Sequence, residues 1–393
     1  MKGIYLDHCA TTPLRPEVRE EMLPFFRDRF GNPSSVHAFG RIARSAVEEA
    51  RVRVASLIGA MPEEIVFTGG GTESDNLAIR GAAEALKGKG RHIITSAIEH
   101  PAVLRTCRSL EQSGFRVTCL PVDAHGVLDP GAVRDAITGE TVLVSIMHGN
   151  NEIGTIEPID AIARMTKERG ILLHTDAVQT VGKIPVDVQK LQADLLSLSG
   201  HKLNGPKGIG ALYIRRGVEI APLLTGGHQE GDRRGGTENV PAIAGLGRAC
   251  ELAGRDLPSR MKGTKELRDR LQSHLAGKFP DLQVNGHPEK RLPHVLSVSF
   301  RGLPADEIVL ALDREGVAVS AGSACTSGRR EISHVISALG VPPEVAQGTV
   351  RLSVGWGNTA KEIKAAADLL VTVAGKLKAL QDLEDSVGGR KCY

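Results

Sequence analysis

The stretch Ala193-Asp194-Leu195-Leu196-Ser197-Leu198-Ser199-Gly200-His201-Lys202 decides how this chain is read. Its apolar run has the length of a buried strand, and Asn204-Gly205-Pro206-Lys207-Gly208 then stops any regular structure. A lysine held where a strand breaks off can face a cleft rather than open solvent. That is the setting a Schiff-base lysine needs, because desolvation keeps part of its amine neutral and nucleophilic. Most lysines after a strand are solvated loop residues, so Lys202 gains weight only from its company.

Outward from Lys202, the segments 65–67, 92–95, 117–121, 142–147, 171–175, 194–198 and 211–214 read as short strands. They alternate with longer amphipathic patterns, such as the helix marked by Val47, Ala50, Val54 and Leu57-Ile58. That rhythm predicts an α/β domain with a largely parallel sheet and active-site loops at the strand ends. Around Asp256-Leu257-Pro258 the composition shifts into a charged amphipathic helix over 262–276, leading to a second lobe with strands over 295–300 and 350–354. From Asp382 to Tyr393 the chain is polar, carries Gly388-Gly389, and reads as a loose tail.

Several candidates lie upstream of Lys202. Ile171-Leu172-Leu173-His174-Thr175-Asp176 ends an apolar run in a carboxylate, with Gln179 three residues on. Pyridoxal phosphate acts as an electron sink only while its ring nitrogen stays protonated, which a buried carboxylate enforces; the plainer role for Asp176 is a helix N-cap. In Phe67-Thr68-Gly69-Gly70-Gly71-Thr72-Glu73-Ser74 a strand enters a glycine turn and a helix opens. Glycines let backbone N–H groups approach an anion, and the helix N-terminus favours a phosphate. The pattern is neither the dinucleotide fingerprint nor the P-loop, and a plain strand-to-helix turn reads equally well. His100, after the strand over 92–95, could stack on a flat ring and move protons near neutral pH, although the chain has thirteen histidines and a loop histidine is often incidental.

Downstream, Ser320-Ala321-Gly322-Ser323-Ala324-Cys325-Thr326-Ser327-Gly328 surrounds one cysteine with small residues, followed by Arg329 and Arg330. It reads as a mobile loop with an exposed thiol, whose thiolate the nearby arginines favour; the alternative is a small buried cysteine packed as a hydrophobe. Thr349-Val350-Arg351-Leu352-Ser353-Val354 alternates like a strand. Arg351 is suited to clamp a carboxylate, or simply to face outward.

Composition excludes some classes. With 393 residues, 41% hydrophobic and 24% charged, the chain can bury a sizeable core, in two lobes. A net charge of +3 without a basic tract is no footprint of direct nucleic-acid binding. The six cysteines show no CxxC pair, arguing against structural metal or a disulfide framework and for a reducing compartment. No leader and no membrane span are legible, so a cytoplasmic location is expected.

Taken together the motifs resemble those of the cysteine desulfurases. The likeness runs from Ile4-Tyr5-Leu6-Asp7-His8-Cys9-Ala10-Thr11-Thr12 to about Asn358-Thr359. It passes through Gly31-Asn32-Pro33-Ser34-Ser35-Val36-His37, Asn150-Asn151-Glu152-Ile153-Gly154-Thr155 and Arg233-Arg234-Gly235-Gly236-Thr237-Glu238-Asn239. The segment around Cys325 resembles the branch with a long cysteine loop, which serves nitrogenase maturation and iron–sulfur assembly. The resemblance implies a fold type I pyridoxal 5'-phosphate enzyme with a mostly parallel seven-stranded sheet. It also implies a large domain over 13–256, a small domain over 1–12 and 257–381 carrying the cysteine loop, and a homodimer. The implied reaction takes sulfur from L-cysteine, leaves alanine, and passes the sulfur as a persulfide to an acceptor protein, an iron–sulfur scaffold or a thiolation enzyme.

By the same resemblance Lys202 holds the cofactor, Asp176 its ring nitrogen and Gln179 its ring hydroxyl. Thr72, Ser199 and His201 bind the phosphate, with Thr237 reaching in from a second subunit. His100 stacks on the ring and shuttles a proton, Asn151 contacts substrate and ring, Arg351 with Asn32 receives the substrate carboxylate, and Cys325 takes the sulfur. This chain departs from the pattern at His8-Cys9, in variable positions, at Ala321, where a serine is frequent, and at Trp356, where an arginine is expected. Rival readings are a selenocysteine lyase, another fold type I enzyme such as an aminotransferase, or a sulfur-carrying scaffold without catalysis. An aminotransferase has no need of Cys325 on a mobile loop.

Overall fold

The computed structural model describes residues 3–321 and 332–388, those from 381 onward by backbone alone. In chain order the strands are β1 (Ile4–Tyr5), β2 (Ile65–Thr68), β3 (His92–Ser96), β4 (Arg116–Leu120), β5 (Thr141–Ser145), β6 (Leu172–Asp176), β7 (Leu195–Ser199), β8 (Gly210–Ile214), β9 (Gln283–Asn285), β10 (Val295–Ser299), β11 (Val317–Ala318), β12 (Ser320–Ala321) and β13 (Thr349–Ser353).

All seven segments read as strands between residues 65 and 214 enter one sheet, in the order β2-β8-β7-β6-β5-β3-β4. The pairs from β7 through β6, β5 and β3 to β4 are parallel. Strand β8 alone is reversed, antiparallel to both β7 and β2. The cause is the length of its connection. A parallel return needs a crossover of a dozen or more residues, usually a helix. Residues 200–209 hold only the 3-10 turn Gly200–Lys202, so the chain folds straight back. Strands β2, β3, β5 and β7 are buried throughout, which explains why they read as apolar runs without alternation. Strand β5 ends at Ser145, short of the sequence expectation, and the N–H of Met147 goes to Glu99 Oε1 (2.9 Å).

The second lobe carries the antiparallel sheet β12-β13-β10-β9 and the parallel pair β1-β11. Its own core holds Leu296, Val298, Ile308 and Leu370, and Leu6 from the chain's start lies in it. One helix, Val240–Ala276, serves both cores: Ile243, Leu246 and Leu252 pack in the large one, Leu271 and Leu275 in the small one. The amphipathic helix expected over 262–276 is therefore the second half of a longer one that runs through Pro258. Proline there removes one hydrogen bond to the carbonyl four residues back; Gly254 and Pro258 are both exposed, so water can satisfy that carbonyl. The stretch expected to be loose from Asp382 continues the helix Ala360–Gly388 as far as Gly388. Among the described residues no helix is long and apolar enough to cross a membrane.

The helices Ala38–Ile58 and Val240–Ala276 approach closely, and a Cβ on Gly247 would sit 2.6 Å from Ala50 Cα. Gly247→Val should lower unfolding free energy by about 1–3 kcal/mol through overpacking, read as a fall in the urea midpoint; an unchanged midpoint would show that the helices can part freely.

Candidate active site

Because β2, β3, β5, β6 and β7 all point the same way, their C-terminal ends share one edge of the sheet. A cleft of about 960 Å³ opens there. Thr72 lies just beyond β2, His100 beyond β3, Asn151 beyond β5, Asp176 and Gln179 at and beyond β6, and Ser199, His201 and Lys202 at and beyond β7; Arg351 comes from β13 of the other lobe. All nine line this cleft. Ligand sites outside the carboxyl ends of a parallel sheet are the general rule for such folds.

Lys202 is half-buried, and its Nζ donates to the carbonyls of Cys9 and Ala10 (2.9 Å to Ala10). Burial first, then the positive charge of Arg351, pushes its ammonium down to about 8, with Asp176 and Cys9 pulling the other way. A fraction of the amine is therefore neutral near physiological pH.

Asp176 is buried; its Oδ1 accepts from the N–H of Val178 (2.9 Å). No helix starts after Asp176, so the helix N-cap weighed for it does not form; this one bond caps the turn that follows β6 instead. Burial pushes this carboxyl up, while His100 and Lys202 pull it back toward the charged form. Asp75, which also lines the cleft, has Oδ1 3.6 Å from His174 Nε2, and His174 is held by Ser145 Oγ (2.8 Å) and Ser197 Oγ (3.0 Å). Burial pushes His174 down to about 3, so it is neutral, and raises Asp75 well above the usual carboxylate range, with Asp176 adding repulsion. Asp75 was legible only as part of the glycine turn's helix; nothing in its spacing marked it as part of the site.

His100 caps the helix Pro101–Glu111, its Nδ1 accepting from the N–H of Ala102 (3.1 Å). That bond leaves Nε2 as the protonated nitrogen of the neutral ring. Burial, followed by Lys202, lowers its basicity against the pull of Asp176. The helix Gly71–Leu86 begins with Gly70 at its N-cap, φ 147°, and no side chain caps it. A Cβ at Gly70 would meet nothing within 4 Å. Glu73 ties the turn instead, accepting from the N–H of Gly69 (2.7 Å) and from Arg234 Nε (2.9 Å).

Arg351 is buried in β13; its Nη2 donates to Asp7 Oδ1 (2.8 Å) and its Nη1 to the Asn151 carbonyl (3.0 Å). Its Nε has no hydrogen-bond partner among the described residues, a buried donor left for something else in the cleft. Gln179 Nε2 donates to the Cys9 carbonyl (3.0 Å), and Gln179 Oε1 accepts from Lys183 Nζ (3.3 Å). Two expected residues are elsewhere. Asn32 is exposed, with Oδ1 accepting from Ser34 N (2.9 Å), and Thr237 borders a separate hollow of about 150 Å³. Cys325 lies outside the described residues.

Residues 4–366 match the family model of class-V aminotransferases, the class that this fold and site define. A cysteine desulfurase IscS of Dictyoglomus turgidum is 51% identical over 379 residues, covering 96% of each chain. One from Methanosarcina thermophila is 50% identical, covering 97% of this chain and 94% of its own. A solved NifS-like protein superposes with a TM-score of 0.90 at 40% identity, covering 95% of this chain and all of that one. The chain belongs to the cysteine desulfurase family.

These enzymes depend on pyridoxal 5'-phosphate, and the cleft fits it on its own chemistry. An amine of depressed basicity and a buried carboxyl stand at adjacent strand ends, beside an uncapped helix N-terminus behind a glycine with open space where a side chain would be.

Next in the chain after Asn151, the buried Glu152 accepts from Ser333 Oγ (2.6 Å), and burial pushes it up to about 7 despite Arg351. A carboxyl raised in the folded state ionises first in the unfolded chain, so stability falls as pH rises from about 4.3 to about 7 and levels off above. Glu152→Gln should remove on the order of 3 kcal/mol of that decline, measured by urea denaturation across the window; parallel curves for the two proteins would show that Glu152 is ionised in the fold.

Proposed function

We propose that this protein is a pyridoxal-phosphate-dependent cysteine desulfurase, which takes sulfur from L-cysteine, leaves L-alanine and passes the sulfur to an acceptor protein. The observation that carries this is the convergence of Lys202 and Asp176, at the ends of adjacent parallel strands, on a cleft that the buried Arg351 enters from the other lobe. Full-length relatives about 50% identical and named cysteine desulfurases support it.

In this reading Lys202 holds the cofactor's aldehyde carbon, Asp176 the ring nitrogen and Gln179 the ring hydroxyl. Thr72, Ser199 and His201 take the phosphate with Thr237 of a second copy. Asn151 contacts substrate and ring, and Arg351 with Asn32 receives the substrate carboxylate. When bound, the cofactor supplies an electron sink for the pair released at the substrate Cα. The Lys202 amine, partly neutral because burial holds it near 8, accepts the Cα proton. His100, stacked on the ring, moves a proton through Nε2. Cys325 as thiolate attacks the substrate sulfur: the new S–S bond forms as the Cβ–S bond breaks, leaving a persulfide on Cys325 and, after protonation at carbon, alanine.

We take 13–256 as the cofactor-binding domain and 1–12 with 257–381 as the small domain. Two copies would pair through the exposed apolar surface of Phe26, Phe30, Val36 and Phe39, whose burial is the usual driving force for such an interface. A reducing, cytoplasmic compartment suits the free Cys9, Cys107, Cys119 and Cys250.

The deciding experiment is release of alanine and sulfide from L-cysteine by the holoenzyme with a thiol reductant. Equal amounts are expected, none from Lys202→Ala, and no sulfide from Cys325→Ala with its visible cofactor band intact. No alanine from a fully yellow wild-type protein, or loss of the band in Cys325→Ala, would sink the assignment. Arg351→Ala should raise KM for L-cysteine by roughly 10–100-fold, as expected for losing a hydrogen bond to a charged group, measured by steady-state kinetics.

A further inference from the structure

Lys202 also borders a second, much smaller cavity of about 20 Å³, walled by His8, Lys183, Arg260, His294 and Trp356. The ammonium of Lys183 is buried, and its one hydrogen bond among the described residues goes to Gln179 Oε1. Arg260 donates to Asn204 Oδ1 (3.0 Å) and the Gly182 carbonyl (3.5 Å). Among the described residues neither cation has a carboxylate within ion-pair distance. Asp7 is committed to Arg351 (2.8 Å), and Asp256 to Arg15 (2.7 Å) and Arg255 (2.8 Å). His8 and His294 are 3% and 2% exposed, and the Nδ1 of each is buried without a hydrogen-bond partner. The Cys9 thiol stands 3.5 Å from His294 Nε2, outside the cavity wall.

An uncompensated buried cation is costly, and native proteins rarely leave buried donors idle. The crowding of positive charge adds to this: burial, then Lys202, Arg260 and Arg351, pushes Lys183 down to about 7, and burial with Lys183 and Arg260 pushes His8 down to about 4. A cavity needs about 10–15 Å³ to admit one water, so this one takes a single ion or water of that scale and excludes phosphate or carboxylate groups.

We infer that this cavity is a binding site for one small monovalent anion of halide size, chloride in ordinary solution, held by Lys183, Arg260 and the imidazoles of His8 and His294. Hydrosulfide has the same charge and a comparable size and would use the same donors.

The test is a crystal of the holoenzyme soaked in sodium bromide, with a second crystal soaked anaerobically in sodium hydrosulfide. A bromide anomalous peak against Lys183 Nζ is expected, and it should vanish in Lys183→Met. Occupancy by hydrosulfide but not bromide would keep the site and make its ligand a product of sulfur chemistry. Water alone in both soaks, or a bromide peak that survives Lys183→Met, would overturn the inference. The wild-type soaks need no variant to fold, and they read occupancy rather than turnover, so their failure leaves the proposed reaction standing and the reverse.

Discussion

The short return from β7 to β8 is the constraint on which the site depends. Residues 200–209 are too few for a crossover helix, so the chain must reverse at the edge where β2, β3, β5 and β6 also end. The reversal is tight: a Cβ on Gly200 would lie 2.9 Å from the Pro206 carbonyl, and one on Gly205 2.8 Å from the carbonyl of Gly200. Lys202 sits inside this turn. Its amine is thereby held next to Asp176 on the neighbouring strand, and the Cys9 and Ala10 carbonyls steady it from the other side.

Those carbonyls tie the site to the second lobe. The segment that supplies them follows β1, which pairs with β11, and Leu6 is buried in the small core. Asp7, two residues before Cys9, holds Arg351 of β13. The chain's first residues therefore set both the lysine and the arginine, one from each lobe, at a common spacing. The helix Val240–Ala276 ties the two cores a second time. The faces that frame the cleft are thus braced by backbone elements rather than by loops alone.

Burial also sets the chemistry of the cleft. The amine of Lys202 is pushed down and the carboxyl of Asp176 up, each tempered by the other. Asp75, beside the neutral His174, adds a carboxyl that burial keeps from ionising readily. Such opposed shifts in one cleft are what acid–base work near neutral pH requires.

Much of this was legible in the residues. Runs such as Leu195-Leu196-Ser197-Leu198, short and closed by turn residues, read as buried strands, and their alternation with amphipathic patterns points to a mostly parallel sheet, because periodicity and turn chemistry are local properties of the chain. The chemical types of Lys202, Asp176, His100 and Arg351 were equally plain. What no local pattern contains is the pairing of distant segments. That Arg351 clasps Asp7 across 344 residues, that Asp75 and Asp176 line one cleft, and that Lys183 and Arg260 border one small cavity with His8 and His294 all follow from tertiary packing. The uninterrupted helix through Pro258 is of the same kind: proline is a local warning against a helix, and packing of both halves against two cores overrides it.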